Sequence, residues 1–230
     1  MIEPIEVVPC FPESLLDWSL TVINRLLVLG AGGHGCVVAE TAIRSGAWSD
    51  VVHLDDVLDR PQLEIGTRVL GSISDLEKLL VADDRFVVGV GDNAVRLRLF
   101  EELKNRSTAT SVIALEAIIS GTVLVGDGCV IMSGAHVNVG VVLGDACILN
   151  TASIIEHGVT LDPGVHVGPG AILGGDVKVG ARSFIGMGAK VLPGVSLGAD
   201  VVLGAGAVAV SDLTDAGTYV GLPATLLRPQ

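Results

Sequence analysis

A repeat of aliphatic residues, six positions apart, runs through the second half of the chain without a break. Every sixth residue from Ile119 to Leu203 is Ile, Val or Leu, at fifteen of fifteen positions, and the residue two positions earlier is small. An α-helix would repeat about every 3.6 residues and a strand every second residue, so neither produces this spacing. The period instead predicts a parallel β-helix, a solenoid in which three hexapeptides complete one turn.

In such a coil, residues eighteen positions apart stack in neighbouring turns, and the aliphatic and small residues point inward. Residues 119–208 form five turns, which makes a column about 24 Å tall at a strand spacing of roughly 4.8 Å. Glycine often follows the aliphatic residue directly, as at Gly144 and Gly180, and we expect it there because corners need unusual backbone angles. Since proteins normally bury both faces of a parallel sheet, we expect a homotrimer.

The composition excludes some classes of function. Hydrophobic residues make up 50% of the chain but aromatic residues only 3%, which suits a β-helix interior with little room for rings. The net charge is -12 without a basic cluster, which argues against nucleic-acid binding because that requires Lys and Arg against phosphates. The sequence shows neither a secretory signal nor a membrane span, so we expect a cytoplasmic protein. Cys129 and Cys147 should stack as small buried hydrophobes rather than form a disulfide.

A different pattern occupies residues 25–112. Apolar runs predict strands over 25–29, 50–54 and 86–90, and they alternate with predicted helices over 36–44, 73–80 and 94–104. This alternation predicts a short, Rossmann-like parallel α/β sheet. The predicted organisation is therefore an N-terminal extension over 1–24, an α/β domain over 25–112, a β-helix over 113–210 and a closing segment over 211–230.

The first predicted strand leads directly into a glycine-rich turn at residues 30–35. Gly30, Gly32 and Gly35 have the G-x-G-x-x-G spacing, which allows a tight turn and brings a ligand close to a helix N-terminus. The motif alone is weak evidence for a dinucleotide, and about three strands are too few for a full dinucleotide-binding fold. His34 lies inside the turn, where its side chain can reach a ligand. A purely structural turn remains the alternative.

Two motifs together resemble one family. Residues 27–35, followed by Leu54-Asp55-Asp56, resemble the nucleotide-sugar-binding head of bacterial sugar acetyltransferases, and residues 150–157 resemble their active-site turn. Residues 221–224 are similar to the closing Gly-x-Pro-Ala of these enzymes. The family contains the N-acetyltransferases of bacillosamine and perosamine synthesis and the sialic acid O-acetyltransferases. The resemblance implies a left-handed coil, a homotrimer and a role in cell-surface polysaccharide biosynthesis.

The resemblance also implies an activity. It predicts an acetyl-CoA-dependent N-acetyltransferase that modifies the 4-amino group of a nucleotide-linked 4-amino-4,6-dideoxy sugar, with direct attack of the amine on the thioester and no metal. Such a reaction needs a base for the amine proton and donors for the oxyanion, and the near-neutral pKa of imidazole suits the base. The catalytic residues implied are His157 as base, with Asn150 and Glu156 beside it.

Further site residues follow from the same resemblance. The acetyl-CoA contacts implied are His166, Gly175, Met187 and Ala205, with Gly175 donating its backbone N–H to the thioester carbonyl. The nucleotide-sugar contacts implied are Gly32, Gly33, His34, Asp55 and Asp56, with His34 near the sugar-phosphate and the two aspartates near the base.

One position departs from the family pattern. The family commonly has an acidic residue directly after the catalytic histidine, where it orients the imidazole, but this chain has Gly158. Glu156 precedes the histidine, and neighbours along a strand point to opposite faces, so we do not expect Glu156 to replace the missing acid. Asn150, or a residue of another chain, is the alternative.

The sequence leaves three other functions open. The first is a sialic acid-type sugar O-acetyltransferase. The second is a zinc protein similar to hexapeptide-repeat carbonic anhydrases, which needs three converging histidines; the spacing of His136, His157 and His166 does not match its close pair. The third is a non-catalytic nucleotide-sugar binder, which Gly158 favours.

Overall fold

The computed structural model describes residues 23–57 and 65–227. The predicted extension over residues 1–24 lies outside this part of the chain, except for the backbone of its last two residues. The N-terminal part, called the head here, contains one parallel sheet and helices on both sides of it. Its strands, in spatial order, are Val69–Gly71 (β3), Trp48–Leu54 (β2), Ile23–Leu29 (β1) and Arg85–Val88 (β4). Its helices are Gly33–Ser45 (α1), Leu76–Leu79 (α2, preceded by a 3-10 turn at Ile73–Asp75) and Asn93–Leu103 (α3).

The predicted α/β head is confirmed, with two differences. Strand β3 was not predicted, because it is only three residues long and half-buried at the edge of the sheet, and so carries no apolar run. The predicted helix over 73–80 is a 3-10 turn followed by one α-helical turn, capped by Ser72 and Asp75. Strand β1 has the continuous apolar run expected of a central strand, and its residues 26–29 are fully buried.

The rest of the described chain, called the coil here, is a parallel β-helix, as predicted. Its strands form three sheets, one on each side of the column. The five-stranded sheet contains Leu124–Val125, Val142–Leu143, Thr160–Leu161, Lys178–Val179 and Ser196–Leu197. The six-stranded sheet contains Ile118–Ile119, His136–Val137, Ile154–Ile155, Ile172–Leu173, Lys190–Val191 and Val208–Ala209. The eight-stranded sheet contains Val112–Ile113, Val130–Ile131, Ile148–Leu149, His166–Val167, Phe184–Ile185, Val201–Leu203, Gly217–Val220 and Thr225–Leu226.

The interior of the coil follows the six-residue repeat. Thirteen of the fifteen repeat positions are buried, and the other two, Ile119 and Val125 in the first turn, are partly buried against them. Cys129 and Cys147 are buried free thiols, as predicted. Residues eighteen apart pair in register, as in Ile148 against His166. The column is therefore a rigid frame that fixes the height and direction of every outward residue.

The role predicted for the glycines that follow the aliphatic positions is wrong. Gly144 and Gly180 do not have left-handed backbone angles. They lack a side chain because the next turn is too close: a Cβ at Gly144 would lie 2.7 Å from the Pro163 nitrogen, and one at Gly180 would lie 2.4 Å from the Ala199 nitrogen. The left-handed residue is instead the third after each aliphatic position from Val125 onwards, for example Gly158 with a φ of 69°.

The head covers one side of the coil. An apolar cluster joins Leu26, Val28 and Val38 of the head to Val112, Val130 and Ile148 of the eight-stranded sheet. Helix α3 packs along the edge of the same sheet, where Leu97 lies against Gly164 and Phe100 against Gly128. The carboxyl end of the head sheet is thereby held beside the outward residues of this coil face.

Candidate functional site

The glycine turn connects β1 to the first turn of α1. Gly30 has a φ of 107°, and a Cβ at Gly35 would lie 2.1 Å from the Gly30 carbonyl oxygen, so both glycines are required by the turn itself. Gly32 and Gly33 are different, because a side chain at either position would meet no atom within 4 Å. Gly32 caps α1 without a side-chain hydrogen bond. The turn therefore presents an open helix N-terminus, the arrangement that binds phosphate groups.

Two buried side chains stabilise this turn through hydrogen bonds. Asp55 accepts hydrogen bonds from the backbone N–H groups of Ala31 (2.7 Å) and Val57 (2.8 Å). His53 donates from Nδ1 to the Gly30 carbonyl oxygen at 2.9 Å, which leaves Nε2 to accept from the Thr67 hydroxyl at 3.1 Å. Asp55 therefore stabilises the backbone of the turn.

Asp56, the second predicted aspartate, occupies a different environment. Its side chain is exposed, and one carboxylate oxygen accepts the Ile73 N–H at 3.1 Å. A carboxylate oxygen in this position remains accessible to a ligand above the sheet edge. Of the two aspartates, Asp56 is exposed and Asp55 is buried.

His34 of the head meets His166 of the coil. Their ring centroids are 6.1 Å apart, and the ring of Phe184 packs edge-on against His166 at 4.9 Å. The Asn150 amide nitrogen lies 3.2 Å from Nε2 of His166. Because an amide NH₂ can only donate, Nε2 accepts and the proton of the neutral ring is on Nδ1. Asn150 therefore orients His166, whereas the sequence placed it beside His157.

Two nitrogens of this histidine pair are buried without a partner. Among the described residues, neither Nε2 of His34 nor Nδ1 of His166 has a hydrogen bond of normal geometry, although the Gly91 backbone lies close enough to His166 to raise its pKa slightly against the larger effect of burial. Buried polar atoms are nearly always satisfied in proteins. Two such atoms on facing rings indicate a position where a ligand supplies the missing partners.

Both rings are held neutral at physiological pH. Burial, and secondarily the positive charge of Arg96, lower the pKa of His34 to about 4 and that of His166 to about 3. Arg96 is itself fully buried in α3, and burial lowers its pKa to about 10, so it stays protonated. A neutral imidazole can donate and accept at once, which suits the binding of a hydroxyl or amine.

The depressed pKa values predict a loss of stability in mild acid. The unfolded histidines bind protons below about pH 6.5, while the folded ones resist protonation until the pH nears their lowered values. The free energy of unfolding should therefore fall as the pH drops from 6.5 towards 4. Denaturant unfolding across this range would test it, with His166→Gln expected to have a flatter profile. An identical pH dependence of the wild type and the variant would contradict the assignment.

A cavity of about 450 Å³ lies beside the histidine pair. Residues 91–94, which lead into α3, form one wall, and His166, Phe184 and Arg182 form the other. The Asn93 amide donates to the backbone carbonyl of Arg182 at 2.8 Å, so the two walls are joined. Head and coil thus line this open cleft together. Sequence reasoning missed Asn93, Arg96 and Phe184.

His157 lies on a different corner of the coil. The turns at 138–141, 156–159, 174–177 and 192–195, between the six- and five-stranded sheets, form what we call the His157 corner. The His157 ring is exposed and rests on Gly175 of the next turn, where a Cβ would lie 2.6 Å from Nε2. Among the described residues, the Gly175 N–H has no hydrogen-bond acceptor. An exposed imidazole above a free amide is a suitable pair for a base and an oxyanion donor.

The other predicted site residues lie elsewhere. Met187 and Ala205 are exposed on the turns between the eight- and six-stranded sheets, which we call the Asn150 corner. Glu156 accepts a hydrogen bond from the Asn138 amide at 2.9 Å and contacts its own sheet rather than His157. Within one chain, the predicted catalytic and acetyl-CoA residues therefore form two groups on different corners of the coil, one around His157 and one around His166.

Two kinds of feature are absent from the described residues. Within 23–57 and 65–227, no three His, Cys, Asp or Glu residues are arranged to hold a metal ion. No helix in that part of the chain has the length and apolar character needed to cross a membrane.

Comparison with known proteins gives matches for both parts of the chain. Residues 25–103 match the PglD N-terminal domain, and residues 176–208 match the bacterial transferase hexapeptide (six repeats). The acetyltransferase domain of PglB from Neisseria gonorrhoeae FA1090 is 38% identical, with a TM-score of 0.85 over 88% of this chain and 99% of that one. That domain is also known in complex with acetyl coenzyme A. A mutant of perosamine N-acetyltransferase from Caulobacter crescentus, in complex with CoA and GDP-perosamine, is 33% identical, with a TM-score of 0.85 over 90% of this chain and 99% of that one.

Proposed function

Because the chain belongs to the family of sugar N-acetyltransferases that join a PglD N-terminal domain to hexapeptide repeats, we propose that it acetylates the 4-amino group of a nucleotide-linked 4-amino-4,6-dideoxy sugar with acetyl-CoA. The observation that carries this proposal is the pair of unpartnered buried nitrogens on His34 and His166 beside a cavity. One ring comes from the nucleotide-binding turn and the other from the coil. A sugar bound between them would join a phosphate site to an acyl-transfer site.

The head would bind the nucleotide half of the substrate. The open N-terminus of α1, with Gly32 and Gly33 free of side chains, would receive the diphosphate. Asp56 would accept the N–H groups of the base from its exposed position, while Asp55 shapes the turn. The linked sugar would then extend towards the His34–His166 pair.

The chemical step needs a base, an oxyanion donor and a leaving group. In our proposal, the neutral amine nitrogen attacks the thioester carbonyl carbon, and its pair of electrons forms the new C–N bond. His157 takes the amine proton, and the Gly175 N–H stabilises the oxyanion. When the carbonyl re-forms, the C–S bond breaks and the proton passes from His157 to the CoA thiolate. The products are the acetamido sugar and free CoA.

A complete site would require two copies of the chain. His157 and Gly175 lie on one corner of the column, whereas His166, Met187 and Ala205 lie around another. Acetyl-CoA that touches both groups would therefore run between neighbouring columns. The five- and six-stranded sheets also carry exposed apolar residues, including Leu124, Val142 and Ile118.

We therefore propose a homotrimer with its sites between subunits. Light scattering coupled to size-exclusion chromatography should give three times the 23.5 kDa of one chain. A monomer that is fully active at assay concentration would contradict the shared site. Because acetyl-CoA and nucleotide sugars are intracellular metabolites, we place the reaction in the cytoplasm.

The activity is tested by release of the CoA thiol. The protein would be assayed with acetyl-CoA and UDP-, GDP- and dTDP-linked 4-amino sugars, and mass spectrometry would follow the acetyl group. We expect thiol release with at least one of these substrates and none with the matching 4-hydroxy sugars. Transfer only to hydroxyl groups would support an O-acetyltransferase instead, and binding of the sugar nucleotide without turnover would support a binding protein.

A further inference from the structure

Gly158, the residue directly after His157, has no room for a side chain while the Asp176 carboxylate keeps its position. Its φ of 69° is left-handed, and a Cβ built on it would lie 2.2 Å from a carboxylate oxygen (Oδ1) of Asp176. Real Cβ atoms do not approach another atom this closely. The volume that a side chain at position 158 would enter is therefore occupied by the carboxylate of Asp176, which lies eighteen residues further along the chain.

The backbone fixes this carboxylate next to the His157 turn. The Asp176 N–H donates to the His157 carbonyl oxygen at 2.9 Å. Asp176 has a φ of 60°, a left-handed conformation that Asp tolerates better than most residues. The His157 ring rests on Gly175, the residue just before Asp176. The backbone of Asp176 thus lies in the turn that follows the His157 turn. Its carboxylate, however, lies next to the His157 turn itself.

Asp176 also has no competing partner in the described part of the chain. No Lys, Arg or hydrogen-bond donor there engages its carboxylate. Asn150, the side chain of this chain that the sequence offered to orient His157, donates to His166 instead, and Glu156 accepts from Asn138. Asp176 is therefore a carboxylate without a partner next to the turn that carries His157.

We propose that Asp176 positions His157, and that it supplies from the neighbouring turn the acid that Gly158 lacks. This inference rests on the proposed role of His157 as base. The carboxylate would accept the N–H of the ring and stabilise the imidazolium that forms as the amine loses its proton. No hydrogen bond joins the two side chains in the unliganded chain, and catalytic contacts of this kind tighten when substrate binds.

The test exchanges the two residues. Asp176→Asn keeps the shape but removes the charge, and we expect kcat to fall by about tenfold to a hundredfold with little change in KM for either substrate. The double variant G158D/D176G returns a carboxylate to the same volume from the other turn, and we expect it to recover most of the lost kcat. Gly158→Asp alone would place two carboxylates in one volume, which should lower both the melting temperature and kcat.

Controls separate a positioning role from a structural one. Asp176 is exposed, so Asp176→Asn should melt at the wild-type temperature. Asp162→Asn removes the same charge from an exposed turn on another corner and should leave kcat unchanged. Wild-type kcat in Asp176→Asn, or a double variant that melts normally but is no more active than Asp176→Gly, would overturn the inference while leaving the proposed function intact. Absence of thiol release by the wild type would overturn the proposed function itself.

Discussion

Replacing His157 by asparagine should lower kcat for acetyl transfer by about a thousandfold, within the range for loss of a general base. Asparagine keeps a polar side chain of similar reach but cannot take a proton from the attacking amine. The ring is exposed and contacts mainly Gly175, so the fold should be unaffected. Steady-state thiol release, with the melting temperature measured in parallel, checks both statements.

Two further variants test this prediction more strictly. Gly175→Ala keeps the imidazole but puts a methyl group where its ring now lies, 2.6 Å from Nε2, and the displaced base should cost about tenfold to a hundredfold in kcat. His136→Asn makes the same change as His157→Asn at an exposed histidine of the six-stranded sheet and should have little effect. If His157→Asn retained a third or more of wild-type kcat, the proton would have another acceptor.

The repeat made the coil predictable because its signal is periodic. The position of a residue in the hexapeptide decides whether its side chain points inward. Adding eighteen to its residue number identifies its neighbour in the next turn. This arithmetic explains why Ile155 and Leu173 are buried and paired. It could also have shown that Gly158 stacks with Asp176, since the period was known and only the direction of the Asp176 side chain was not.

The parts of the site that could not be predicted depend on contacts between head and coil. A helical arginine is usually solvated, so nothing in the sequence marked Arg96 as buried. Asn150 follows an inward residue of the repeat, but its contact with His166 depends on side-chain direction at a corner. The reason for glycine after the aliphatic positions was predicted wrongly. The sequence shows where glycine is needed, but not whether an unusual backbone angle or a lack of space requires it.

Replacing Arg96 by methionine should be the most destabilising change in the head. Its guanidinium donates to Ala146 and Gly164 of the coil, at 2.8 and 2.7 Å, and to the Val90 and Gly91 carbonyls at 3.2 Å. Methionine would fill much of the volume but leave the buried coil carbonyls without donors, and each such loss costs roughly 1–3 kcal/mol. We expect the free energy of unfolding to fall by about 3 kcal/mol, which lowers the melting temperature by roughly 6 to 12 °C for a chain of this size.

The same residue links stability to the chemistry of the site. Arg96 is the nearby positive charge that, after burial, lowers the pKa of His34 and His166. Its removal should raise both values towards that of an unfolded histidine, so the loss of stability between pH 6.5 and 4 should become smaller, an effect that a purely steric defect would not produce. Arg98→Met, on the exposed side of the same helix, is the matched control and should change neither quantity. A melting temperature within 2 °C (roughly 1 kcal/mol) of wild type for Arg96→Met would mean that these carbonyls find other donors and that Arg96 does not hold the head against the coil.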